Sequence, residues 1–319
     1  MKLQVLTNSR LKAVRACQRY HHLRYNLGYA PVEDAEALRF GTLIHKGLEA
    51  WFLAEHGARL TPALEAISAA EADPFDLAKA TVLLCGYDQR WGAEEFETVA
   101  VEVMFSSLLV NPETGGFSKT FRLEGKIDAL IRQGGRLLLV EHKTASEDIG
   151  VGSDYWKRLR LDGQVSTYFD GAEALGYEPD SCLYDVIRKP ALRPLTATPV
   201  ESRRYTKDGR LYANQRDQDE TPAEYQARLV EAVAEDPDRF YQRGEVTRLE
   251  AELAEARWDR WQLARQIREG QLRERFPRNP DACVRFGTCA FFPYCSGEAS
   301  LDDPTRYRRL EDVNPELAA

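Results

Sequence analysis

Glu124-Gly125-Lys126-Ile127-Asp128-Ala129-Leu130-Ile131-Arg132-Gln133-Gly134-Gly135-Arg136-Leu137-Leu138-Leu139-Val140-Glu141-His142-Lys143 reads as two apolar strands around a Gly-Gly pair. Glycines tolerate the positive φ of a tight hairpin turn, so Gly134-Gly135 predicts a two-residue loop with Gln133 facing Arg136. Counting back from that turn sets Asp128 opposite Glu141, with Cβ atoms roughly 5 Å apart. Strand side chains alternate, so Lys143 shares the face of Glu141. Two carboxylates and a lysine then converge where the apolar strand gives way to Thr144, Ala145 and Ser146. Like charges so placed repel, and a divalent cation is the natural compensation. The plainer alternative is a surface Asp–Glu–Lys cluster on an ordinary hairpin.

Working toward the N-terminus, Leu38 to Phe52 carries Leu43, Ile44, Leu48, Trp51 and Phe52 at helical spacing. Gly41, His45 and Glu49 recur every fourth residue and share one face of that helix. A small residue there permits close approach of another backbone, and imidazole with carboxylate can bind a cation. A lone histidine is more often a satisfied core group; its two neighbours on the face favour the ligand reading modestly.

In chain order, Gly41/His45/Leu48/Glu49, Gly125/Asp128, Glu141/Lys143 and Gln164/Tyr168 form G-x-x-x-H-x-x-L-E, G-x-x-D, E-x-K and Q-x-x-x-Y. This series resembles the RecB-like branch of the PD-(D/E)XK nuclease superfamily. The resemblance spans roughly residues 9–190, and the cysteines extend it to about residue 297. It implies an α/β restriction-endonuclease-like core, a central mixed sheet flanked by helices. Carried over position by position, His45, Asp128 and Glu141 would ligate the catalytic metal, with the backbone carbonyl of His142 as a further ligand. Lys143 would position or activate the attacking water, and Gln164 with Tyr168 would line the site near the DNA backbone. Glu49 would support the metal or pack the helix. Hard oxygen ligands suit Mg²⁺ or Mn²⁺, and the histidine leans toward Mn²⁺.

The six cysteines are Cys17, Cys85, Cys182, Cys283, Cys289 and Cys295. The last three are evenly spaced in a Gly-, Pro- and aromatic-rich stretch that reads as an irregular loop. Cys17 lies near the N-terminus. One early and three late cysteines resemble RecB-like nucleases that carry an iron–sulfur cluster, which implies a four-iron, four-sulfur (4Fe-4S) cluster on Cys17, Cys283, Cys289 and Cys295. The x5 spacings depart from the Cys-x2-Cys-x5-Cys of some such relatives. Four thiolates also suit zinc, although these spacings lack its usual tight Cys-x2-Cys knuckle. Cys85 and Cys182 read as buried small hydrophobes. Joining Cys17 to Cys283 would close a loop of more than 250 residues, an idealised entropy cost of roughly 5 kcal/mol, so the cluster would staple the chain ends.

At 319 residues the chain can bury a large core. We expect one elaborated nuclease domain over 1–319: a nuclease core at 9–190, an insertion at 191–244, and a long helix with the cysteine loop at 245–297. Within it, one helix is expected over about Ser9–Arg24, a polar helical stretch over Thr61–Trp91, and strands at Val99–Phe105, Phe121–Arg132, Arg136–His142 and Ser181–Arg188. Thr221-Pro222-Ala223-Glu224 is a capping box that starts a helix running to about Glu235. A long helix is expected over Glu245–Phe276. No apolar run approaches a membrane span, and the N-terminus lacks an apolar signal core, so a reducing cytoplasm is expected. The net charge of −8 is unusual for a nucleic-acid binder. It shifts attention to local channels, with candidate cations Arg10, Lys12, Arg15, Arg19 and Arg24 near one end and the arginines between Arg257 and Arg278 near the other.

The expectation is therefore a Mg²⁺- or Mn²⁺-dependent deoxyribonuclease, an exonuclease at DNA ends, resembling stand-alone recombination and repair nucleases of phages and bacteria that work with a single-strand annealing protein. Its rivals are a CRISPR-adaptation nuclease trimming DNA fragments, and an iron–sulfur DNA-binding subunit with an inactive site. No oligomeric state follows from the sequence.

Overall fold

The computed structural model describes residues 3–33, 36–285 and 287–317. The chain begins with strand β1 (Gln4–Leu6), helix α1 (Asn8–Ala16), a short α2 (Gln18–His21) and strand β2 (Tyr29–Pro31). Three helices follow: α3 (Glu36–Leu53), α4 (Leu60–Ser68) and α5 (Pro74–Trp91). Then come β3 (Glu97–Val110), β4 (Phe117–Gln133) and β5 (Arg136–Ala145), α6 (Asp154–Leu159), α7 (Gly163–Ala174) and β6 (Ser181–Arg188). The remainder is α8 (Pro222–Glu235), β7 (Tyr241–Val246), α9 (Glu250–Arg273), α10 (Phe292–Ser296) and β8 (Tyr307–Arg309). Among the described residues no helix is long and apolar enough to cross a membrane.

The Gly-Gly turn forms as its sequence requires. Gly134 and Gly135 take φ of 57° and 79°, and Gln133 pairs with Arg136. From this hairpin grows a mixed sheet in the order β1-β4-β5-β6-β7, with β3 on the other edge of β4. Because β3 runs antiparallel along nearly all of β4, β1 and β5 must share the opposite edge. β1 pairs with Phe121–Leu123 in parallel, and β5 pairs only with Ala129–Gln133. Residues 124–128 between them have no ladder partner on that edge. The sheet therefore forks, and Asp128 stands at the fork.

Helices cover both faces. One face packs α3, α4, α5 and α8 through a core containing Trp51, Leu84, Tyr87, Ala129, Val140 and Tyr225. The other packs α6 and α7 over Ile127, Leu130, Leu139 and Tyr184. A smaller cluster seats α1 and α9 on β1 and the distal end of the β3–β4 ribbon. The ring of Phe105 lies where Cβ atoms on Gly125 and Gly171 would be, 2.5 and 2.6 Å from its carbons. Only glycine lets strand β4 and helix α7 close on that ring.

Several boundaries differ from the sequence expectation. The first helix is broken, because Cys17 adopts extended backbone (φ −162°, ψ 118°) between α1 and α2, and π-helical His22–Asn26 follows. The polar stretch is two helices. Asp73 caps the second through Phe75 N and Asp76 N, with Pro74 at its first turn, and its buried face is apolar. The Thr221–Glu224 capping box forms as expected. The 191–244 segment also places Tyr225, Leu229, Val233, Phe240 and Tyr241 in the main core, and strand β7 starts within it. Since β7 takes Glu245 and Val246, the long helix starts later, at Glu250. The C-terminal segment docks by pairing β8 with β2.

Candidate active site

The fork gathers donors from three elements. His45 Nδ1 on α3 lies 3.8 Å from Asp128 Oδ1 on β4. Ligand atoms of His45, Asp128 and Glu102 on β3 all lie within 4.8 Å of one another. Gly41 on helix α3 faces β5, where a Cβ would make an ordinary 3.5 Å contact with Thr144 Oγ1. Glu102 follows from register: Val101 pairs with Ala129 and Val103 with Ile127, so Glu102 faces Asp128 across the ribbon. Its backbone takes a positive φ of 53°, uncommon for a non-glycine residue and a sign of local strain.

Glu141 departs from the expected geometry. The β4–β5 ladder stops at Ala129–Val140, and Asp128 Oδ2 instead accepts a 2.7 Å hydrogen bond from the backbone N–H of His142. Glu141 is ion-paired with Lys143 and is not a member of the three-residue donor group. Its second oxygen, Oε2, is buried with no hydrogen-bond partner. Glu49 is likewise outside the group. The His142 side chain is buried on the α3–α5 side of the sheet. Its ring lies 5.0 Å from Phe52, and Nδ1 lies 3.3 Å from Asp185 Oδ2. Asp185 is itself anchored by Arg243 and Tyr87, a buried polar network that fixes β5 from behind.

Burial pushes the Asp128 and Glu141 carboxyls above their ordinary values. Burial opposes the Lys143 ammonium as well, but Glu141 and Asp128 outweigh it and hold its pKa above the usual lysine value. Burial pushes the His45 imidazole down to about 4, with His142 and Lys143 adding to the effect. His45 is thus neutral with a lone pair to offer, and 34% of its side chain is exposed at the mouth of the site. Strained carboxylates, an orphaned carboxylate oxygen and a neutral imidazole are what a divalent cation would relieve, so the donor set fits Mg²⁺ or Mn²⁺.

Helix α7 supplies the other flank. Its cap, Asp162, accepts from Gln164 N at 2.8 Å and so aims the Gln164 side chain. Gln164 Oε1 accepts from Lys143 Nζ at 3.1 Å, and Gln164 Nε2 donates to the Tyr168 hydroxyl at 2.8 Å. The same Oε1 accepts from Asn8 Nδ2 at 3.1 Å and Lys12 Nζ at 3.4 Å. The first turns of α1 therefore reach the site, fixed by the Thr7 cap on Arg10 N. Glu102 and Asn8 were not singled out from sequence.

The cysteines do not form a tight knot. All six thiols are free, and among the described residues no three cysteine sulfurs share a group within 4.8 Å, so the compact sulfur group expected from the sequence is not met. Cys17, Cys283, Cys289 and Cys295 are nonetheless neighbours. Burial raises the Cys289 thiol, and Cys283, Cys295 and Cys17 raise it further. The break at Cys17 turns that residue toward the late loop, which is tied to it by Asn279 Nδ2 donating to Ala16 O at 2.8 Å. Cys182 is fully buried, as expected, whereas Cys85 is only partly so.

A neutral imidazole, clustered carboxylates and a lysine on a forked mixed sheet define an α/β protein with a candidate divalent-cation site. The family model of the PD-(D/E)XK nuclease superfamily matches residues 5–296, and the chain belongs to that superfamily. No curated protein matches the chain. Among solved structures it is similar to SSO0001, with 14% identity, TM-score 0.36, and coverage of 94% of this chain and 89% of that one. A protein from Eubacterium rectale described as a candidate exonuclease is 11% identical with TM-score 0.46, over 94% of this chain and 90% of that one. A phage-related exonuclease from Haemophilus somnus 129PT is 13% identical with TM-score 0.30, over 72% and 94%.

Proposed function

We propose that the chain is a metal-dependent deoxyribonuclease that hydrolyses phosphodiester bonds at DNA ends. The observation that carries this reading is the His45/Glu102/Asp128 donor group beside a Glu141 oxygen without a partner and the Lys143 ammonium. His45, Glu102, Asp128 and Glu141 would hold Mg²⁺ or Mn²⁺, with the His142 carbonyl as a further ligand. An ion held there would supply polarisation of the scissile phosphate and a lowered pKa for water. Lys143, held protonated by its carboxylate neighbours, donates to a phosphate oxygen or to the attacking water. Gln164 fixes the direction of the Lys143 ammonium, and Tyr168 fixes Gln164. Every position of the motif series is filled, which favours an active enzyme over an inactive binding subunit. The restriction to ends rests on the approach to Lys143. It passes α1, which is tied to the α6–α7 turn by Lys12–Asp162 at 3.3 Å, so a strand enters most simply by threading.

We further propose that Cys17, Cys283, Cys289 and Cys295 hold a 4Fe-4S cluster. Four thiolates around a single zinc ion would lie roughly 4 Å apart, from Zn–S bonds of about 2.3 Å in a tetrahedron. Each thiolate of a four-iron cluster ligates a different iron and stands farther from the others. Cys17, Cys283, Cys289 and Cys295 stand near enough to influence one another's thiols, which suits a shared cofactor.

End-labelled linear, nicked and circular DNA incubated with Mg²⁺ or Mn²⁺ tests the nuclease reading. Linear DNA should be degraded from its ends and covalently closed circles should persist. Cleavage of closed circles, or no cleavage of any substrate, would reject it.

A further inference from the structure

Lys143 also lines the inner end of a groove of about 690 Å³ bounded by α1, the turn between α6 and α7, and α9. Cationic side chains outnumber acidic ones along it seven to four, in a chain whose net charge is −8. The distribution leans to one side, with Asp162 the acidic exception at the turn and Arg260 the cation on α9. Lys12 and Arg15 on α1, with Arg158 and Arg160 at the α6–α7 turn, form one wall; Glu252, Glu255 and Asp259 lie on α9. A polyanion would track the α1 and turn side.

Three of the cations on that side, Arg15, Arg158 and Arg160, are available. The Arg160 side chain is exposed and has no hydrogen-bond or ion-pair partner among the described residues; its backbone N–H donates to Arg158 O. Arg158 is ion-paired with Glu147, the two side chains 57% and 48% exposed, and its guanidinium lies 5.9 Å from the centre of the Tyr155 ring. Lys12 and Arg15 engage Asp162 and Asp259 through ion pairs in which each cation is 52% exposed. The Arg15–Asp259 pair is exposed on both sides and is worth about 0–1 kcal/mol, so a phosphodiester can replace that carboxylate at little cost. Asp162, 15% exposed, keeps Lys12. By contrast, Arg257 and Arg260 are committed to Asp170 on α7 and serve to dock α9. Next to Arg160 stands Leu161, 86% exposed on the same turn. A cation and a bare apolar side chain, adjacent at a groove mouth, match the phosphate and the base face of one nucleotide.

We propose that this groove carries a single unpaired DNA strand to Lys143, with Arg15, Arg158 and Arg160 on its phosphates and Leu161 against a base. The proposal rests on the nuclease reading above and deepens it to a strand preference. A cavity of this size falls in the range of small-ligand pockets, roughly 300–1,000 Å³, and admits a short stretch of one strand. Arg248 donates to Leu159 O, Asp162 O and Ser166 Oγ, so the turn that presents Arg160 and Leu161 is braced from within.

The test is equilibrium binding by fluorescence anisotropy in chelator, where no cleavage occurs. The probes are a short labelled single-stranded oligonucleotide and its blunt duplex, titrated over a range of salt. Wild-type protein should prefer the single strand. Arg158→Ala and Arg160→Ala should each weaken binding and reduce the slope of log K against log salt by about 0.7, the single-strand value per phosphate neutralised. Leu161→Ala should weaken binding with the slope unchanged. All three side chains are exposed, and thermal melts confirm the fold. Wild-type affinity and slope in both arginine variants, or tighter binding of the blunt duplex than of the single strand, overturns the proposal. Because binding is read without metal, such a result leaves the nuclease reading standing, while an absence of cleavage in the end-label assay leaves the groove to be judged on binding alone.

Discussion

Asp128 Oδ2 accepts a 2.7 Å hydrogen bond from the backbone N–H of His142, while Asp128 Oδ1 faces His45 Nδ1 at 3.8 Å. One carboxylate thus does two tasks. It replaces the missing rung where the β4–β5 ladder ends, and its other oxygen belongs to the candidate cation site.

The two tasks separate by mutation. Asp128→Asn can keep an oxygen on His142 N–H while losing its metal oxygen, so it should fold normally and lose activity. Asp128→Ala leaves a buried N–H without a partner, which costs about 1–3 kcal/mol, partly offset by removal of a buried carboxylate. Urea melts alongside cleavage assays distinguish them. Equal stability of the two variants would mean that the hydrogen bond to His142 contributes little.

Metal-free stability should depend on pH in a stated direction. Burial raises the pKa of Asp128 and Glu141 in the folded chain, so the folded state binds more protons than the unfolded one above the ordinary carboxylate range of about 4. The contribution of these groups is therefore favourable when they are protonated and is lost as pH rises through their raised folded values. A divalent ion needs both carboxylates ionised, so its stabilisation should grow with pH. At a hundredfold excess over Kd it amounts to about 2.7 kcal/mol. Thermal melts with and without Mn²⁺, at about pH 5 and about pH 8, measure the difference. Glu102→Gln should shrink the Mn²⁺ effect at the higher pH; an unchanged effect removes Glu102 from the ligand set.

The hairpin was legible because a Gly-Gly turn fixes register over a few residues, and counting holds as far as Ala129–Val140; one step further it fails, because Asp128 accepts from His142 N–H instead of facing Glu141. The Gln164–Tyr168 face was legible from helical spacing. Glu102 was not. Its strand reaches β4 through a longer connection, and the pairing slips between Thr98 and Ala100 and again between Leu108 and Val110. Counting back from that turn misplaces it; the only local signal is a single carboxylate in the apolar run Val99-Ala100-Val101-Glu102-Val103-Met104-Phe105. The break at Cys17 was also hidden, since Leu11, Val14 and their neighbours continue a helical pattern into a residue whose extended backbone is set by tertiary packing.

The cysteine assignment predicts brown protein after anaerobic purification, with about four irons per chain. Cys17→Ala and Cys289→Ala should lose iron and melt earlier, while Cys85→Ala and Cys182→Ala retain it. The fully buried Cys182 should lose only roughly 1 kcal/mol on trimming. Metal analysis and melts of the four variants check this. Colourless, zinc-loaded protein from iron-replete anaerobic cells would replace the cluster with zinc.

The most direct test is the rate of nucleotide release from end-labelled linear DNA by Lys143→Ala beside wild type, both saturated with Mn²⁺ as judged by metal analysis. Lys143 is placed to act on the phosphate or the water, so the variant should bind metal and fold but release nucleotides at least about 100-fold more slowly. A wild-type rate from folded, metal-loaded Lys143→Ala would contradict the account at its centre.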